Sequence, residues 1–421
     1  MKKHVENAKS EQEEIMTMKR TVVTGLSATG LVLAAGLAWA AGQYGPGVTD
    51  TEIKLGSTMP YSGPASSYGI IGKSEVAYFA MINEKGGING RKIDLIVRDD
   101  SYSPPKTVEE VRELVEQDHV LATFNTLGTP PNSAIRGYMN DNKVPQLFVA
   151  TGASKWDDPK HFPWTIGWQP SYRIEARIYG HYILKHIPDA KVAVLYQNDD
   201  FGKDYLNGLR EGLGAKADKM IVTTKTYETT DATVDSQVSA MQASGANVVL
   251  TAAIPKFAAQ AIRKMYDIGW KPTHFMTNVS VSVKAVMQPA GPEKGVGIIS
   301  AGYLKDPTDP QWQDSPEYKE WLAWMKKYNT QGSVADANTV YGYTVAQTML
   351  AVLKQCGNDL TRENLMKQAA SIHDLKLPML LPGIVISTSA TDFAPIKQMQ
   401  LMKWDGKNWK LFGEVISAAG S

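Results

Sequence analysis

Residues 53–100 read IKLGSTMPYSGPASSYGIIGKSEVAYFAMINEKGGINGRKIDLIVRDD. The stretch parses as strand, long loop, helix, glycine stop and strand. Ile53 and Leu55 open a short apolar run, and the Pro-, Gly- and Ser-rich segment from Met59-Pro60 to Gly69 reads as a loop. Val76, Phe79, Ala80 and Asn83 then recur on one face of a helix. Gly86-Gly87 ends that helix where a left-handed residue is needed. Ile93, Leu95 and Val97 alternate with Asp94, Ile96 and Arg98, which suits a strand. A strand–helix–strand unit of this kind predicts a parallel sheet with a right-handed crossover.

At 421 residues the chain is long enough for two domains, each with its own core. Lys and Arg number 44 against 43 Asp and Glu, a net charge of +1, which points away from nucleic acid and from a general membrane surface as partners. The single cysteine, Cys356, has no partner for an internal disulfide. It lies in the polar run KQCGNDLTREN without a neighbouring histidine and reads as a buried structural thiol. Near the start, Lys19-Arg20 precede an apolar segment from Thr21 to Leu37 and then Ala38-Trp39-Ala40. A basic region, an apolar region and an A-x-A site predict a cleaved secretory signal peptide over residues 1–40, with Met18 as an alternative start. The apolar run is short and glycine-rich for a membrane anchor, and no cysteine follows it, which excludes a lipoprotein. Export is expected.

The alternation continues beyond the opening unit. Residues 107–118 read as helix, Leu121–Asn125 as strand, and a helix through Ile135 and Met139 leads to the strand Gln146–Val149. These strands run into small-residue, hydroxyl-bearing loops, Thr126-Leu127-Gly128-Thr129-Pro130-Pro131 and Ala150-Thr151-Gly152-Ala153-Ser154. Ligands of open α/β sheets bind beyond the carboxyl ends of strands, so these loops are candidate contacts. The pattern restarts near Trp168. A helix through Ile174, Ile178 and Ile183 leads to the apolar run Val192–Tyr196, suited to burial on both faces. Asn198-Asp199-Asp200-Phe201-Gly202 and another helix follow, then strands at Ile221–Tyr227, Val248–Ala252 and His274–Thr277. The halves echo each other as strand, aromatic-Gly (Tyr68-Gly69; Phe201-Gly202) and helix, which would set both aromatics at one cleft. Residues 297–303 are expected to rejoin the first half, 316–328 and 341–355 to be helices, and 397–412 to form a hairpin turning at Asp405-Gly406.

Catalytic constellations are scarce. No G-x-G-x-x-G follows a strand, and Gly72-Lys73-Ser74 lacks the leading glycine of a phosphate-binding loop, since Tyr68 occupies that place. There is no H-E-x-x-H and no cysteine pair, and His181 and His186 are five apart, the wrong spacing for one helix face. Neither catalysis nor a metal or cofactor is expected. Loop hydroxyls and free N–H groups at helix N-termini suit passive capture of a carboxylate.

The run P-Y-S-G-P-A-S-S-Y-G (60–69), the helix end I-N-E-K-G-G-I-N-G (82–90) and V-R-D-D (97–100) resemble the start of the mature leucine/isoleucine/valine-binding proteins. Those are type I periplasmic binding proteins that feed ABC importers. The resemblance extends, with gaps, from about Val48 to the C-terminus. It implies an α/β fold of two Rossmann-like lobes with central parallel sheets joined by a three-strand hinge. Lobe I would be residues 48–168 and 297–382, and lobe II residues 169–296 and 383–421. It also implies a periplasmic protein that closes over a small ligand and presents it to the membrane permease of an ABC importer.

By the same resemblance, the loop Leu127-Gly128-Thr129 and the pair Ala153-Ser154 would hold the ligand's carboxylate. Tyr68 matches the family's aromatic wall and Phe201 a cleft tyrosine of the second lobe. Tyr102 stands where disulfide-bearing relatives have a cysteine, the partner position being Leu127, and would narrow the pocket. These loops would equally serve as tight turns, and an aromatic before glycine as core. Amino-acid-binding members carry an acidic residue, after a strand of the second lobe, that pairs with the ligand's ammonium. The matching stretch here is Phe275–Ser280, with Asn278-Val279 and no carboxylate, and the family's tyrosine-rich loop becomes Ala252-Ala253-Ile254-Pro255. A buried ammonium without a counter-charge costs several kcal/mol, so the expected ligand is a small aromatic or aliphatic carboxylate. Asp199 or Asp200 as the missing charge keeps branched-chain amino acids and short amides as the alternative. A ligand-sensing module shares the fold and stands as a second class.

Overall fold

Buried parallel strands with helices between them account for most of the computed structural model, which describes residues 42–417. The expected leader, residues 1–40, lies outside them. The opening unit forms as its pattern predicts. β1 (Glu52–Met59) pairs in parallel with β2 (Lys92–Asp99) from Glu52↔Lys92 to Met59↔Asp99, and α1 (Ile70–Glu84) crosses between them. β3 (Ala122–Phe124), β4 (Gln146–Val149) and β5 (Thr165–Gly167) complete a five-stranded parallel sheet in the order β2-β1-β3-β4-β5.

The second sheet has seven strands. β6 (Val192–Gln197), β7 (Ile221–Tyr227), β8 (Val248–Ala252), β9 (Thr273–Met276) and β10 (Ile299–Gly302) are parallel. β11 (Gln398–Trp404) and β12 (Trp409–Ser417) are the expected hairpin and add antiparallel, giving the order β12-β11-β10-β9-β8-β6-β7. Residues 297–303 therefore do not rejoin the first half. β10 is held by β9 on one side and β11 on the other, and the return comes after Gly302.

The chain passes between the sheets three times: after β5, after β10 and before β11. The later two passages run side by side, with Lys305 N–H donating to Met379 O (2.8 Å) and Leu381 N–H to Tyr303 O (2.9 Å). Trp168 seals this region. It is fully buried, its ring edge-on to Tyr341 (4.9 Å) and Tyr303 (6.0 Å), and its Nε1–H donates to Thr348 Oγ1 at 3.0 Å.

α1 departs from the expected face. Val76 is 42 % exposed, while Ile71, Ser74, Glu75, Tyr78 and Phe79 are buried. The cause is a helix far away in sequence. α9 (Ala337–Cys356) packs on α1 so closely that a Cβ at Gly342 would stand 2.7 Å from Ile71 O and from Ser74 Cβ. With the sheet on one side and α9 on the other, the exposed strip of α1 is set by tertiary packing rather than by its apolar period. α4 (Tyr172–His186) and α5 (Asp200–Leu213) cross at glycines in the same way, since a Cβ at Gly180 would meet Gly212 Cα at 2.7 Å. Cys356 is buried and free, and its burial pushes the thiol up to about 12, which makes it inert.

Candidate ligand-binding site

The strands of both sheets end at one cavity of about 100 Å³, room for several groups the size of a water, each needing ~10–15 Å³. From the first sheet's side come Tyr68, Tyr102, Leu127, Gly128 and Thr129; from the second come Phe201, Ile254, Asn278 and Val279. Every residue expected from the sequence lines the cavity except Ala153 and Ser154. Tyr68 ties the two sides together, its O–H donating to Val279 O at 3.0 Å.

Gly128 makes the tight entry to the helix Thr129–Asp141. Its φ of +104° and a Cβ that would meet the Tyr102 ring at 2.5 Å leave glycine as the residue that fits. Tyr102 therefore narrows the cavity by lying over Gly128. Pro130 and Pro131 carry no N–H, so the first turn offers fewer backbone donors than an ordinary helix N-terminus. A side chain supplies the donor instead. Thr151 Oγ1 accepts from Ala153 N–H and Trp156 Nε1–H, both at 3.3 Å, which uses its two lone pairs. Thr129 Oγ1 lies 2.6 Å from Thr151 Oγ1, either able to donate to the other, and with Thr151 as the donor the Thr129 O–H would be free for a ligand.

Ser154 has a different task from the one its sequence suggests. Its N–H donates to Asp204 Oδ2 at 2.6 Å and its O–H to Asp204 Oδ1 at 3.0 Å. Both donors are spent on a carboxylate one turn into α5, and Lys155 pairs with Asp200 at 3.0 Å beside it. Burial raises the Asp204 pKa while the two Ser154 bonds pull it down. The two candidates for a missing charge are engaged as well. Asp199 caps α5 through Gly202 N–H (3.2 Å) and accepts from Gln197 Nε2–H, and Asp200 faces Lys155. Neither lines the cavity.

Several lining residues escaped the sequence reading: Gln169, Tyr172, Tyr303, Lys305, Asp306, Asn338 and Tyr341. Tyr172 packs edge-on to Phe201 (4.9 Å). Asp306 Oδ1 accepts from Thr308 N–H and O–H, and burial pushes its carboxyl up to about 6. Lys305 pairs loosely with Glu317 (3.8 Å) and lies over the Trp312 ring. All of these come from segments that cross between the sheets or follow a crossing.

Behind Asn278 stands a fully buried carboxylate, Glu175 in the first turn of α4. It accepts from Tyr179 O–H, Tyr205 O–H (2.6 Å), Asn278 N–H (2.8 Å) and Asn278 Nδ2–H. Burial nonetheless pushes it up to about 7.

The sequence profile of the periplasmic binding protein family matches residues 52–408. The chain belongs to that family. Among its relatives is a Leu/Ile/Val-binding protein homolog of Brucella suis, 24 % identical over 356 residues, which span 82 % of this chain and 87 % of the relative. A Thermus thermophilus branched-chain amino acid ABC transporter protein with bound valine has a similar fold, with TM-score 0.78, 16 % identity and coverage of 88 % and 97 %. So does an R. palustris solute-binding protein in complex with 4-hydroxybenzoate, with TM-score 0.72, 18 % identity and coverage of 87 % and 97 %. This periplasmic binding protein thus shares the mixed α/β fold, with its parallel-strand sheets, of those solved structures. Among the described residues no group of three metal-ligating side chains gathers, and no helix is long and apolar enough to cross a membrane.

Proposed function

We propose that this chain captures a small carboxylate ligand, an aromatic or aliphatic acid, and presents it in a closed form to the permease of an ABC importer. The two sheets would belong to two lobes that hinge at the three crossings, with the lobe boundary after Gly302 rather than at 297. One observation carries the ligand class: Thr129, whose hydroxyl can donate to a ligand when Thr151 donates to it, lines the cavity at a helix N-terminus, where an anion is favoured. Aromatic rings at Tyr68, Tyr102, Tyr172 and Phe201 supply an apolar wall. The R. palustris relative in fold holds such an acid.

A second reading has its own support. Asp306 lines the cavity and, when ionised, would receive an ammonium, which fits the branched-chain amino acids of the Thermus thermophilus protein. Thermal unfolding with benzoate, 4-hydroxybenzoate, octanoate, leucine and valine separates the two. A ligand at ~100 times its dissociation constant stabilises by about 2.7 kcal/mol. Shifts with the acids alone support the carboxylate reading, and shifts with leucine or valine alone sink it.

Ser154→Ala tests the closure. One hydrogen bond to a charged partner across the sheets is lost, so affinity should fall by roughly 1–2 kcal/mol, and by the same factor for every ligand. A loss confined to one ligand would return Ser154 to the cavity wall.

A further inference from the structure

The Asn278 side-chain amide has a fixed direction. Its Nδ2 is bound to Glu175, which once ionised, above a pH of about 7, accepts hydrogen bonds and cannot donate them. The oxygen must therefore face the other way. Asn278 lines the cavity, and no donor among the described residues is bonded to its Oδ1. Glu175 itself is saturated: Oε1 takes Tyr179 O–H and Asn278 N–H, and Oε2 takes Tyr205 O–H and Asn278 Nδ2–H. Four donors fill the four lone-pair sites of a carboxylate. It is also wholly buried, so it acts on a ligand only through Asn278.

We propose that Glu175 is a positioning residue for ligand selectivity: it holds the Asn278 amide so that Oδ1 is presented to the cavity, and the ligand is an acid that also carries a neutral O–H or N–H donor, of the hydroxy-acid class. The inference rests on the carboxylate reading above and narrows it. A neutral amide oxygen gives a hydroxyl a partner without requiring a buried counter-charge, whereas an ammonium at the same place would stay uncompensated. Thr129 then serves the acid group as donor and Asn278 serves the hydroxyl as acceptor, the two arriving from different sheets. A site built to accept a hydroxyl also rejects the analogue lacking it, because the acceptor is left unpaired.

The test measures dissociation constants by calorimetry at pH 8, where Glu175 is ionised, for matched probes: benzoate, 3- and 4-hydroxybenzoate, 4-methoxybenzoate, hexanoate and 6-hydroxyhexanoate. In the natural protein at least one hydroxylated probe should bind about tenfold tighter than its parent, and 4-methoxybenzoate should gain nothing over benzoate. Glu175→Gln keeps the shape, but its NH2 meets a donor either way: at the Oε2 place it faces Asn278 Nδ2, and at the Oε1 place it faces the Asn278 N–H, so the Asn278 amide loses its fixed direction. The hydroxyl preference should then fall to about one, while parent acids keep their affinity within ~3-fold. If that variant does not fold, Asn278→Ala removes the acceptor, together with one donor to Glu175, and should level the same ratio. A hydroxyl preference that survives both substitutions, or that never exists although the parent acids bind, overturns the inference and leaves the carboxylate reading standing. Failure of every acid to bind overturns both.

Discussion

Trp168→Ala should lower stability by about 3–5 kcal/mol, the cost of emptying a large buried aromatic site. The site has little means of collapsing. Tyr303 and Tyr341 stand edge-on to the indole on two sides, one on a crossing segment and the other on α9, and Thr348 Oγ1 would lose its donor. Overfilling is no remedy either, since α9 is already locked to α1 at Gly342. The same two tyrosines line the cavity, so ligand affinity should fall together with stability, unlike a core substitution remote from the crossings. Trp168→Phe should recover part of the stability because it refills most of the volume, although the bond to Thr348 stays lost. Urea unfolding of the three proteins checks this. A midpoint change worth less than about 1 kcal/mol for Trp168→Ala would mean that the crossings carry little of the packing.

How much of this was legible in the sequence follows from the range of each interaction. The opening βαβ unit was legible because parallel strands buried on both faces leave apolar runs and the crossover helix leaves a glycine stop. Tyr68 and Phe201 were found through the repeated aromatic-Gly after a strand, and Gly128-Thr129 through the strand-end rule for ligand loops. Val76 was misplaced because α9, more than 250 residues later, decides which strip of α1 is covered. Ser154 was read as a ligand donor because a serine in a small-residue loop has the right chemistry, and its partner Asp204 lies 50 residues away. Tyr303, Asp306 and Tyr341 had no local signal, since the crossings alone bring them to the cavity. Glu175 had a misleading one: an acidic residue in the first turn of a helix ordinarily offsets the helix dipole at the surface. Here it is buried beneath Asn278.

That burial gives the second large expectation, a pH dependence with an unusual sign. Glu175 is raised from 4.5 to about 7 by desolvation, against the opposing pull of four hydrogen bonds. Below pH 4.5 the group is protonated in both folded and unfolded chains and costs nothing. Between 4.5 and about 7 the unfolded chain releases its proton while the folded chain keeps it, so stability falls by ~1.4 kcal/mol per pH unit from this group. Above about 7 both states are ionised and the full cost, of order 3 kcal/mol, is in place. Glu75, buried in α1 with neither carboxylate oxygen hydrogen-bonded, is raised well above its usual range and acts in the same direction. Asp199, pushed up to about 6, adds to it with a part-exposed and therefore weaker contribution. Glu175→Gln isolates one group, because glutamine has no proton to exchange. The stability of the variant relative to the natural protein should rise by about 3 kcal/mol from pH 4.5 to pH 8, whatever the offset from its altered hydrogen bonds. Guanidinium midpoints at half-unit pH steps provide the comparison. A difference that stays flat across that window would mean that the folded chain gives up the Glu175 proton no later than the unfolded chain does, and that burial does not raise it.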